Sequence, residues 1–590
     1  MKHKNATNIL FTLAIATAFL VRFWKLSELP FPPDGDELAF GYYGWSLLHF
    51  ATDEYGNFLP ANFLSIGDYK YPGLPYLNIL PAMIFGLSGM TIRFWSALSG
   101  VVLVFLVYLF SRSLFKNRSV ALASAWFAAL SPWSIIESRL GWENHLSMVI
   151  TLSGFIILLD LISVKNKKRR NLLSLFAILL FVLSTFIYAA QRLFIPLMLC
   201  VFFMITFIKK SGFKKIRKNV FVSLTAVSVI VTASLISPHN RGRASEEAWK
   251  GLSPEQLNRL QELYVQAGTS QIRIPPRMTW FFNNKYTFSA IDFLERYTDH
   301  FSPKFLFFFG ESSNQKIPDM GMLLWIELLT LPAGLLVLFG SKYKVKKSVL
   351  FFWLLLAPVA SALTQGGAHI NRASLMIPPL SILSGLGTVE LLSITPGKLK
   401  KITLFILIVG FLYSSLYALN QIFIQKPLDK PWVKEQVYKD VTLEILRLKD
   451  KYKAVVTGDD DYIYFLFYGR ISPSEFVKNS DINNIEKGNW ERVDRLYNIH
   501  FKMPFNCPKS GKKGVLYVCS GHEIPQNSKI VKIFYYKDKV PAFSLIEYYP
   551  LSLMPGKLPE PPDKFHYLVE TENPSIFPDG IIPDSHPSYW

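Results

Sequence analysis

Three carboxylates stand close together near the N-terminus of the 590-residue sequence. They are Asp34, Asp36 and Glu37, and they follow directly on the first long apolar segment of the chain. If that segment spans a membrane, the carboxylates lie at its surface, where ionised groups are costly unless they have a partner or a task. One such task is to take a proton from a substrate hydroxyl. The simpler alternative is a helix cap with a solvated acidic loop.

The residues around these acids predict where the local helix begins. Pro32, Pro33 and Gly35 disfavour a helix at their own positions. Residues 37–49 are therefore predicted to form a short amphipathic helix that starts at the acids.

Several basic residues are predicted on the same side of the membrane as these acids. They are Lys70, Arg139, Arg192, Arg241 and Arg372, and His369 lies in the same turn as Arg372. Taken singly, each is explained as an interfacial anchor or a snorkelling side chain. Taken together they are harder to dismiss, because the positive-inside rule predicts few cations on the outer side. Converging cations that face the outer leaflet indicate an anionic ligand, for which phosphate is the usual choice.

A further acid, Glu143, follows Arg139 in the next predicted outer turn. Carboxylates at Asp36, Glu37 and Glu143 beside these cations indicate acid–base chemistry on a hydroxyl. A lipid phosphate as leaving group and a hydroxyl as nucleophile together describe the transfer of a sugar from a polyprenyl-phosphate donor.

The composition indicates a membrane protein with several spans. Half of the residues are hydrophobic and only 18% are charged, the mean hydropathy is +0.25, and the apolar residues occur in long uncharged segments. The net charge of +20 alone would be typical of a nucleic-acid-binding protein. The basic residues, however, form short clusters between the apolar segments, as in the cytoplasmic loops of membrane proteins. We therefore expect the bilayer as a partner and no nucleic acid.

The basic clusters predict the topology. Lys2 and Lys4 precede the first span, so the N-terminus is predicted to be cytoplasmic and the chain a multi-pass protein of the plasma membrane. The segment from Leu74 to Gly89 contains prolines and is short, so it is interpreted as a juxtamembrane or re-entrant helix. About eleven spans remain, near 9–24, 92–112, 119–137, 145–164, 171–190, 193–209, 219–237, 319–340, 348–364, 374–394 and 402–424.

Three substantial segments are then predicted to lie outside: the loops of about 25–90 and 238–318, and residues 426–590. The last segment is predicted to be a small extracytoplasmic α/β domain, and residues 1–425 the transmembrane catalytic domain. In the C-terminal domain, the expected helix spans residues 432–451, and the expected strands lie near 453–456, 514–519 and 530–536. Cys507 and Cys519 could pair there, and without histidines they do not make a zinc site.

The layout resembles the membrane glycosyltransferases of the GT-C superfold, in particular the protein O-mannosyltransferase and aminoarabinose-transferase-like family. The family's acidic pair corresponds to Asp36-Glu37, its lysine followed by prolines to the stretch from Lys70 to Pro75, and its arginine of the next span to Arg93. Its second acid corresponds to Glu143, where Asp is commoner, and Tyr71 interrupts the usual lysine-Pro-Pro run. The match covers the first 200 residues in detail and the remainder by hydropathy only.

The resemblance implies an inverting displacement on the outer face of the membrane. Asp36 would be the general base, Glu37 would hold the acceptor or the sugar, and Glu143 would orient sugar hydroxyls or share the base role. The departing phosphate would be neutralised by the cations, namely Lys70, Arg139, Arg192 and Arg372, with His369 grouped among the donor-binding residues. Some relatives use a divalent metal, but here a fixed cation is expected in its place, so no metal or other cofactor is predicted.

Two alternatives remain open. A polysaccharide polymerase or ligase would share the outer-face site but use a diphosphate-linked donor. A lipid or solute transporter would also carry charges within the membrane, although inverted repeats and spans broken at the midplane would be expected of it. The sequence does not identify the sugar, and the hydroxyl acceptor could be protein, lipid or glycan.

Overall fold

The computed structural model describes residues 2–66, 68–208, 213–236, 251–269, 276–311, 316–340, 346–429, 433–458, 462–483, 492–503, 507–520 and 524–549. Of the basic residues in the second predicted outer loop, His239, Arg241, Arg243 and Arg273 lie outside these ranges. The predicted C-terminal domain is described up to residue 549.

The first part of the chain is helical apart from one small hairpin. Its helices are α1 (Lys2–Phe23), α2 (Gly35–Phe50), α3 (Gly73–Leu77), α4 (Ile79–Phe85), α5 (Gly89–Phe115), α6 (Arg118–Leu130), α7 (Pro132–Ser138), α8 (Glu143–Asp160), α9 (Lys167–Ile187), α10 (Ala190–Ile208) and α11 (Phe213–Ser234). The hairpin consists of β1 (Phe63–Ser65) and β2 (Asp68–Lys70). Later helices cover Pro254–Thr269, Pro276–Phe282, Lys285–Asp299, Glu327–Phe339, Lys346–Leu356, Val359–Ala362, Ile377–Ile394 and Gly397–Asn420.

Within the described residues, eight helices are long and apolar enough to cross a membrane, which makes the chain a multi-pass helical membrane protein. They are Asn5–Phe23, Gly89–Phe115, Glu143–Ser163, Lys167–Ile187, Ala190–Phe207, Lys214–Ser234, Ser374–Ile394 and Gly397–Gln425. Each coincides with one of the eleven predicted spans. A ninth is the pair of α6 and α7, which bends by 52° where Ser131 meets Pro132.

The other two predicted spans are shorter helices, Glu327–Phe339 and Ser348–Ala362. The segment interpreted as re-entrant is likewise too short to count as a span, because it divides at Asn78 into α3 and α4. It packs against α2, where the side-chain amide of Asn78 donates to the carbonyl of Phe40 at 3.0 Å. A Cβ at Gly44 would lie 2.6 Å from Asn78, so glycine permits this close approach.

The C-terminal region forms an α/β unit around a seven-stranded mixed sheet. Its strands are β3 (Ala454–Gly458), β4 (Ser480–Asn483), β5 (Arg492–Leu496), β6 (Ile499–Met503), β7 (Val515–Ser520), β8 (Ser528–Tyr535) and β9 (Pro541–Tyr548), in the order β4-β5-β6-β3-β7-β9-β8. Strand β3 is parallel to both of its neighbours, and the other pairs are antiparallel. Helices Glu435–Leu448, Tyr462–Gly469 and Pro473–Asn479 accompany the sheet, and Cys507 and Cys519 form a disulfide.

The sheet unit shares a hydrophobic core with α2. Leu38, Tyr42 and Tyr43 of α2 pack in one buried cluster with residues of the helices Glu435–Leu448 and Tyr462–Gly469. The Tyr42 hydroxyl also donates to the carbonyl of Ile471 at 2.8 Å. The C-terminal unit is thus built directly onto the helix that begins at the acidic stretch.

Candidate active site

Helix α2 begins at Gly35, two residues earlier than predicted. Asp34 is its N-cap: the Asp34 carboxylate accepts from the Glu37 N–H at 2.8 Å, and the Glu37 carboxylate accepts from the Asp34 N–H at 3.3 Å. This capping box satisfies two helix-end donors and outweighs the poor helix propensity of glycine at the first helical position. The simpler alternative of a helix cap therefore applies to Asp34, with Glu37 as the other half of the capping box, and not to Asp36.

Asp36 forms an ion pair with Lys70. The Lys70 ammonium lies 2.5 Å from Asp36 Oδ1 and 3.4 Å from Asp68 Oδ2. The lysine side chain is 4% exposed, whereas that of Asp36 is 40% exposed. The two predicted residues of opposite charge therefore meet directly, with a buried cation behind a carboxylate that remains open to solutes.

Glu37 is fully buried and faces away from solvent. Its carboxylate binds the guanidinium of Arg93 through two hydrogen bonds, of 2.7 and 2.8 Å, and accepts the Gly141 N–H at 2.5 Å. Arg93 in turn donates to the carbonyls of Leu26, Leu29 and Phe31. This arrangement differs from the predicted contact with acceptor or sugar, because partners within the protein occupy both carboxylate oxygens.

Arg139 is also fully buried. Its terminal nitrogens donate to five backbone carbonyls at and just after the end of α1, those of Val21, Arg22, Trp24, Lys25 and Leu29. Its guanidinium also lies 4.7 Å from the centre of the Phe423 ring. This differs from the predicted phosphate contact, since a phosphate would have to displace backbone carbonyls that already occupy both terminal nitrogens of the guanidinium. Together, Arg93 and Arg139 hold the segment from α1 to the acidic stretch in place.

Glu143 is the first residue of α8 and is buried. The turn just before it lies against α5 and Glu37, because Ser96 donates to the Trp142 carbonyl at 2.9 Å and the Gly141 N–H donates to Glu37. The second predicted acid thus stands close in the chain to the buried ion pair beneath α2.

Arg192 is brought to the segment that carries Lys70. Its guanidinium lies 4.1 Å from the centre of the Tyr71 ring, and its Nε donates to the Thr185 carbonyl at 3.1 Å. Tyr71 is the residue that interrupts the expected lysine-Pro-Pro run. The Tyr71 ring therefore places a second cation, Arg192, against the residue next to Lys70 in the chain.

Arg372 and His369 lie in the turn before the helix Ile377–Ile394. Glu311 lies in the same place: its carboxylate accepts the Ile370 N–H at 2.7 Å and is 3.6 Å from His369 Nδ1. Burial, and then the charge of Arg372, lower the pKa of His369 to about 3, so this imidazole is neutral at physiological pH. The Trp133 indole ties the turn to α7 by donating to the Ile370 carbonyl at 3.3 Å.

No group of three or more His, Cys, Asp or Glu side chains within the described residues is arranged to hold a metal ion. The expectation that a fixed cation replaces a metal stays a prediction.

Two residues that contact the Lys70 hairpin, Glu54 and Tyr462, were not predicted from the sequence. Tyr462 of the C-terminal unit donates to Glu54 of the first predicted outer loop at 2.7 Å and accepts the Ile66 N–H of the hairpin at 2.8 Å. The adjacent acids Asp53 and Glu54 in a predicted outer loop were the available signal. Nothing in the sequence indicated that Tyr462, some 400 residues away, would meet them.

Comparison with known proteins identified structural neighbours only: no family model matches the sequence, and no curated protein does. The chain is similar to Archaeoglobus fulgidus oligosaccharyltransferase in its apo form (13% identity, TM-score 0.49, 78% of this chain and 63% of that one). It is also similar to apo ArnT from Cupriavidus metallidurans (12%, 0.46, 80% and 85%). A third similar structure is the arabinofuranosyltransferase AftD from Mycobacteria (12%, 0.44, 91% and 41%).

The chain spans 63% of the length of the archaeal oligosaccharyltransferase. ArnT has also been solved with undecaprenyl phosphate bound. With TM-scores below 0.5, however, the neighbours carry no conclusion about activity, and the function has to be argued from the residues of this chain.

Proposed function

We propose that this protein transfers a single sugar from a polyprenyl-phosphate donor to a hydroxyl acceptor, with inversion, at the outer face of the membrane. The observation that carries the proposal is the pairing of Asp36, at the start of α2, with the buried ammonium of Lys70. Together they offer a base for a hydroxyl and a cation for a phosphate in a chain of membrane-spanning helices.

The reaction is a single displacement. The acceptor hydroxyl attacks the anomeric carbon, where a new carbon–oxygen bond forms as the bond to the phosphate oxygen breaks. The bonding electron pair leaves with the phosphate, and the hydroxyl proton goes to Asp36. Fixed positive charge beside the departing oxygen stabilises the negative charge that develops there.

The pairing in the free protein has a mechanistic consequence. In an inverting displacement the nucleophile and the leaving oxygen lie on opposite faces of the sugar. Asp36, as the base beside the nucleophile, is then separated from the phosphate by the sugar, and Lys70 cannot contact both. Lys70 therefore turns from Asp36 toward the phosphate when the donor binds. That exchange frees the carboxylate to act as a base.

Other cations extend the donor site. Arg192, which stacks on the ring of Tyr71 next to Lys70 in the chain, is the second phosphate ligand, and Arg372 with the neutral His369 contacts the donor from the turn before the helix Ile377–Ile394. Glu143 orients the sugar hydroxyls. Glu37 and Arg139 act by positioning, because partners within the protein occupy both carboxylate oxygens of Glu37 and the two terminal nitrogens of Arg139.

The test uses the full-length protein in lipid nanodiscs with radiolabelled polyprenyl-monophosphate sugars, one hexose and one pentose, and a panel of hydroxyl acceptors. We expect label to move to an acceptor and polyprenyl monophosphate to be released, and Asp36→Asn to abolish both. Release of a polyprenyl diphosphate from a diphosphate-linked donor would favour the polymerase or ligase instead. Movement of intact donor between leaflets without a glycosylated product would favour a transporter.

A further inference from the structure

The hairpin that carries Lys70 is too small to hold its own position. Each strand has three residues, with Phe63 opposite Lys70 and Ser65 opposite Asp68. An isolated two-stranded hairpin of this size is at best marginally stable in water. The place of the Lys70 ammonium is therefore set by what the rest of the protein does to the hairpin.

One side chain of the C-terminal unit, Tyr462, forms hydrogen bonds with the hairpin at its turn. The Tyr462 hydroxyl oxygen accepts the Ile66 N–H at 2.8 Å and lies 3.2 Å from the Ser65 hydroxyl. The same hydroxyl is 2.7 Å from Glu54 Oε1. A tyrosine hydroxyl has one hydrogen, and Glu54 Oε1 can accept it even when the carboxyl carries a proton on its other oxygen. Tyr462 thus donates to Glu54 and accepts from the hairpin.

Glu54 is itself held rigidly. It is fully buried, and the preceding residue, Asp53, accepts the N–H groups of Tyr55 and Asn57 at 3.0 and 2.9 Å. The Tyr462 ring stacks on Phe476 with their planes 12° apart. Tyr462, whose ring is held by Phe476 and whose hydroxyl is held by Glu54, therefore links firmly placed groups to a hairpin that lacks stability of its own.

The junction lies next to Asp36 as well. A Cβ at Gly35 would be 2.9 Å from Ile66 of the hairpin turn and 3.7 Å from Ile463, the residue after Tyr462. The start of α2, the hairpin turn and the first turn of the helix Tyr462–Gly469 thus meet at one point. A shift of the hairpin relative to this point changes the distance between Lys70 and Asp36.

We propose that Tyr462 is a positioning residue that sets the Asp36–Lys70 contact from the C-terminal unit, through its hydrogen bonds to Glu54 and Ile66. This assigns the C-terminal unit a part in the transfer reaction itself, and in that respect the inference rests on the proposed function. The geometric part of the proposal is independent of the reaction.

The test compares Tyr462→Phe with Tyr438→Phe. The second substitution removes a buried hydroxyl from the same unit, one that bonds Thr457 of β3 at 2.9 Å. The first measurement is the rate at which an amine-reactive reagent modifies Lys70, followed by mass spectrometry of the full-length protein in nanodiscs. We expect labelling about five-fold faster in Tyr462→Phe, the factor for one lost hydrogen bond, and unchanged in Tyr438→Phe.

The second measurement is transfer from the polyprenyl-monophosphate donor. Tyr462→Phe is expected to lower kcat about five-fold, and to lower it no further in a Lys70→Met background, because the hydroxyl acts through that lysine. Glu54→Gln keeps an oxygen that accepts the Tyr462 hydroxyl, so it should lower kcat only slightly. Should Tyr462→Phe fail to reach the membrane, Glu54→Met removes the same bond from the other side.

Equal Lys70 labelling in the wild type, Tyr462→Phe and Tyr438→Phe would overturn the proposal and leave Tyr462 as a docking residue only. An equal loss of kcat in both tyrosine variants would do the same. If no protein transfers sugar, including the wild type, the proposed function fails, while the labelling comparison still decides whether Tyr462 positions Lys70.

Discussion

Lys70 Nζ lies 2.5 Å from Asp36 Oδ1, and the two residues reach this contact from separate elements, the end of β2 and the first turn of α2. The lysine is buried and the aspartate is partly open. Desolvating an ammonium is costly, so the charge is retained where a partner of opposite sign is fixed beside it. A substrate phosphate would be such a partner.

Asp36→Asn removes a base and almost no volume. We expect transfer to fall by at least about a hundred-fold, with unchanged amounts of protein in the membrane. The matched control is Asp68→Asn, which removes the other carboxylate near Lys70, at 3.4 Å, and should have a much smaller effect. Initial rates with a labelled donor measure both, and turnover near the wild-type rate in Asp36→Asn would end the base assignment.

Lys70→Met and Arg139→Met are expected to behave differently, although both remove a buried cation. Lys70→Met should lower kcat in a folded protein, because the charge that stabilises the leaving phosphate is gone. Arg139→Met should instead lower the yield and the melting temperature, because the carbonyls at the end of α1 lose their donors at about 1–3 kcal/mol each. Fluorescence-detected size exclusion and thermal scans separate the two effects; a stable Arg139→Met protein with reduced kcat would return Arg139 to the phosphate site.

The contrast between these residues indicates how far the sequence leads. Direct pairing of Asp36 with Lys70 was not predicted; that they lie on the same side of the membrane was predicted, because both fall in the first predicted outer loop. The tasks of Glu37 and Arg139 were not, because they depend on Arg93, Gly141 and the end of α1, which tertiary contacts bring together across 56 to 118 residues of chain.

A similar limit applies to the C-terminal sheet. Strands β3, β7 and β8 have apolar stretches that the sequence displays, and they were predicted. Strands β4, β5 and β6 carry many charged or polar residues, and β9 begins at a proline, so local preference alone did not indicate them. Long-range pairing supplies what their sequences lack.

Breaking the buried pair of Glu37 and Arg93 is expected to destabilise the protein. Glu37→Met leaves Arg93 charged and without its carboxylate, at a cost of about 3–5 kcal/mol. Replacing both residues by Met should recover part of that loss, because no unpaired charge then remains. Melting temperatures of the two single variants and the double variant in detergent form the cycle. The pairing would be contradicted if the double variant lost as much stability as the two single variants together, or more.

Stability should fall as the pH rises toward 8, because of Glu54. Burial, and then the neighbouring Asp53, raise the pKa of Glu54 to about 8, although hydrogen bonds from Tyr462, Tyr55 and Ser65 oppose the shift. The folded protein then holds a proton that the unfolded chain has released, so stability is fully present below the ordinary pKa and is lost as the pH rises through the raised one, by up to about 1.4 kcal/mol per pH unit.

Glu54→Gln has no such proton and tests this cause. Thermal scans from pH 5 to pH 8.5 should give a flatter profile for the variant than for the wild type. The tyrosines around the carboxyl, Tyr43, Tyr55 and Tyr462, have raised pKa values and stay neutral over this range. Parallel profiles for the two proteins would assign the pH dependence to another group.

The exchange of Lys70 between Asp36 and a phosphate is the central claim, and a structure of the full-length protein in nanodiscs with added polyprenyl phosphate tests it most directly. The measurement is the distance from Lys70 Nζ to the nearest phosphate oxygen and to the Asp36 carboxylate. The account predicts a hydrogen-bonded phosphate at Lys70, with Arg192 on the same group and Asp36 released. A bound lipid phosphate elsewhere, with the Lys70–Asp36 pair still closed, would contradict it.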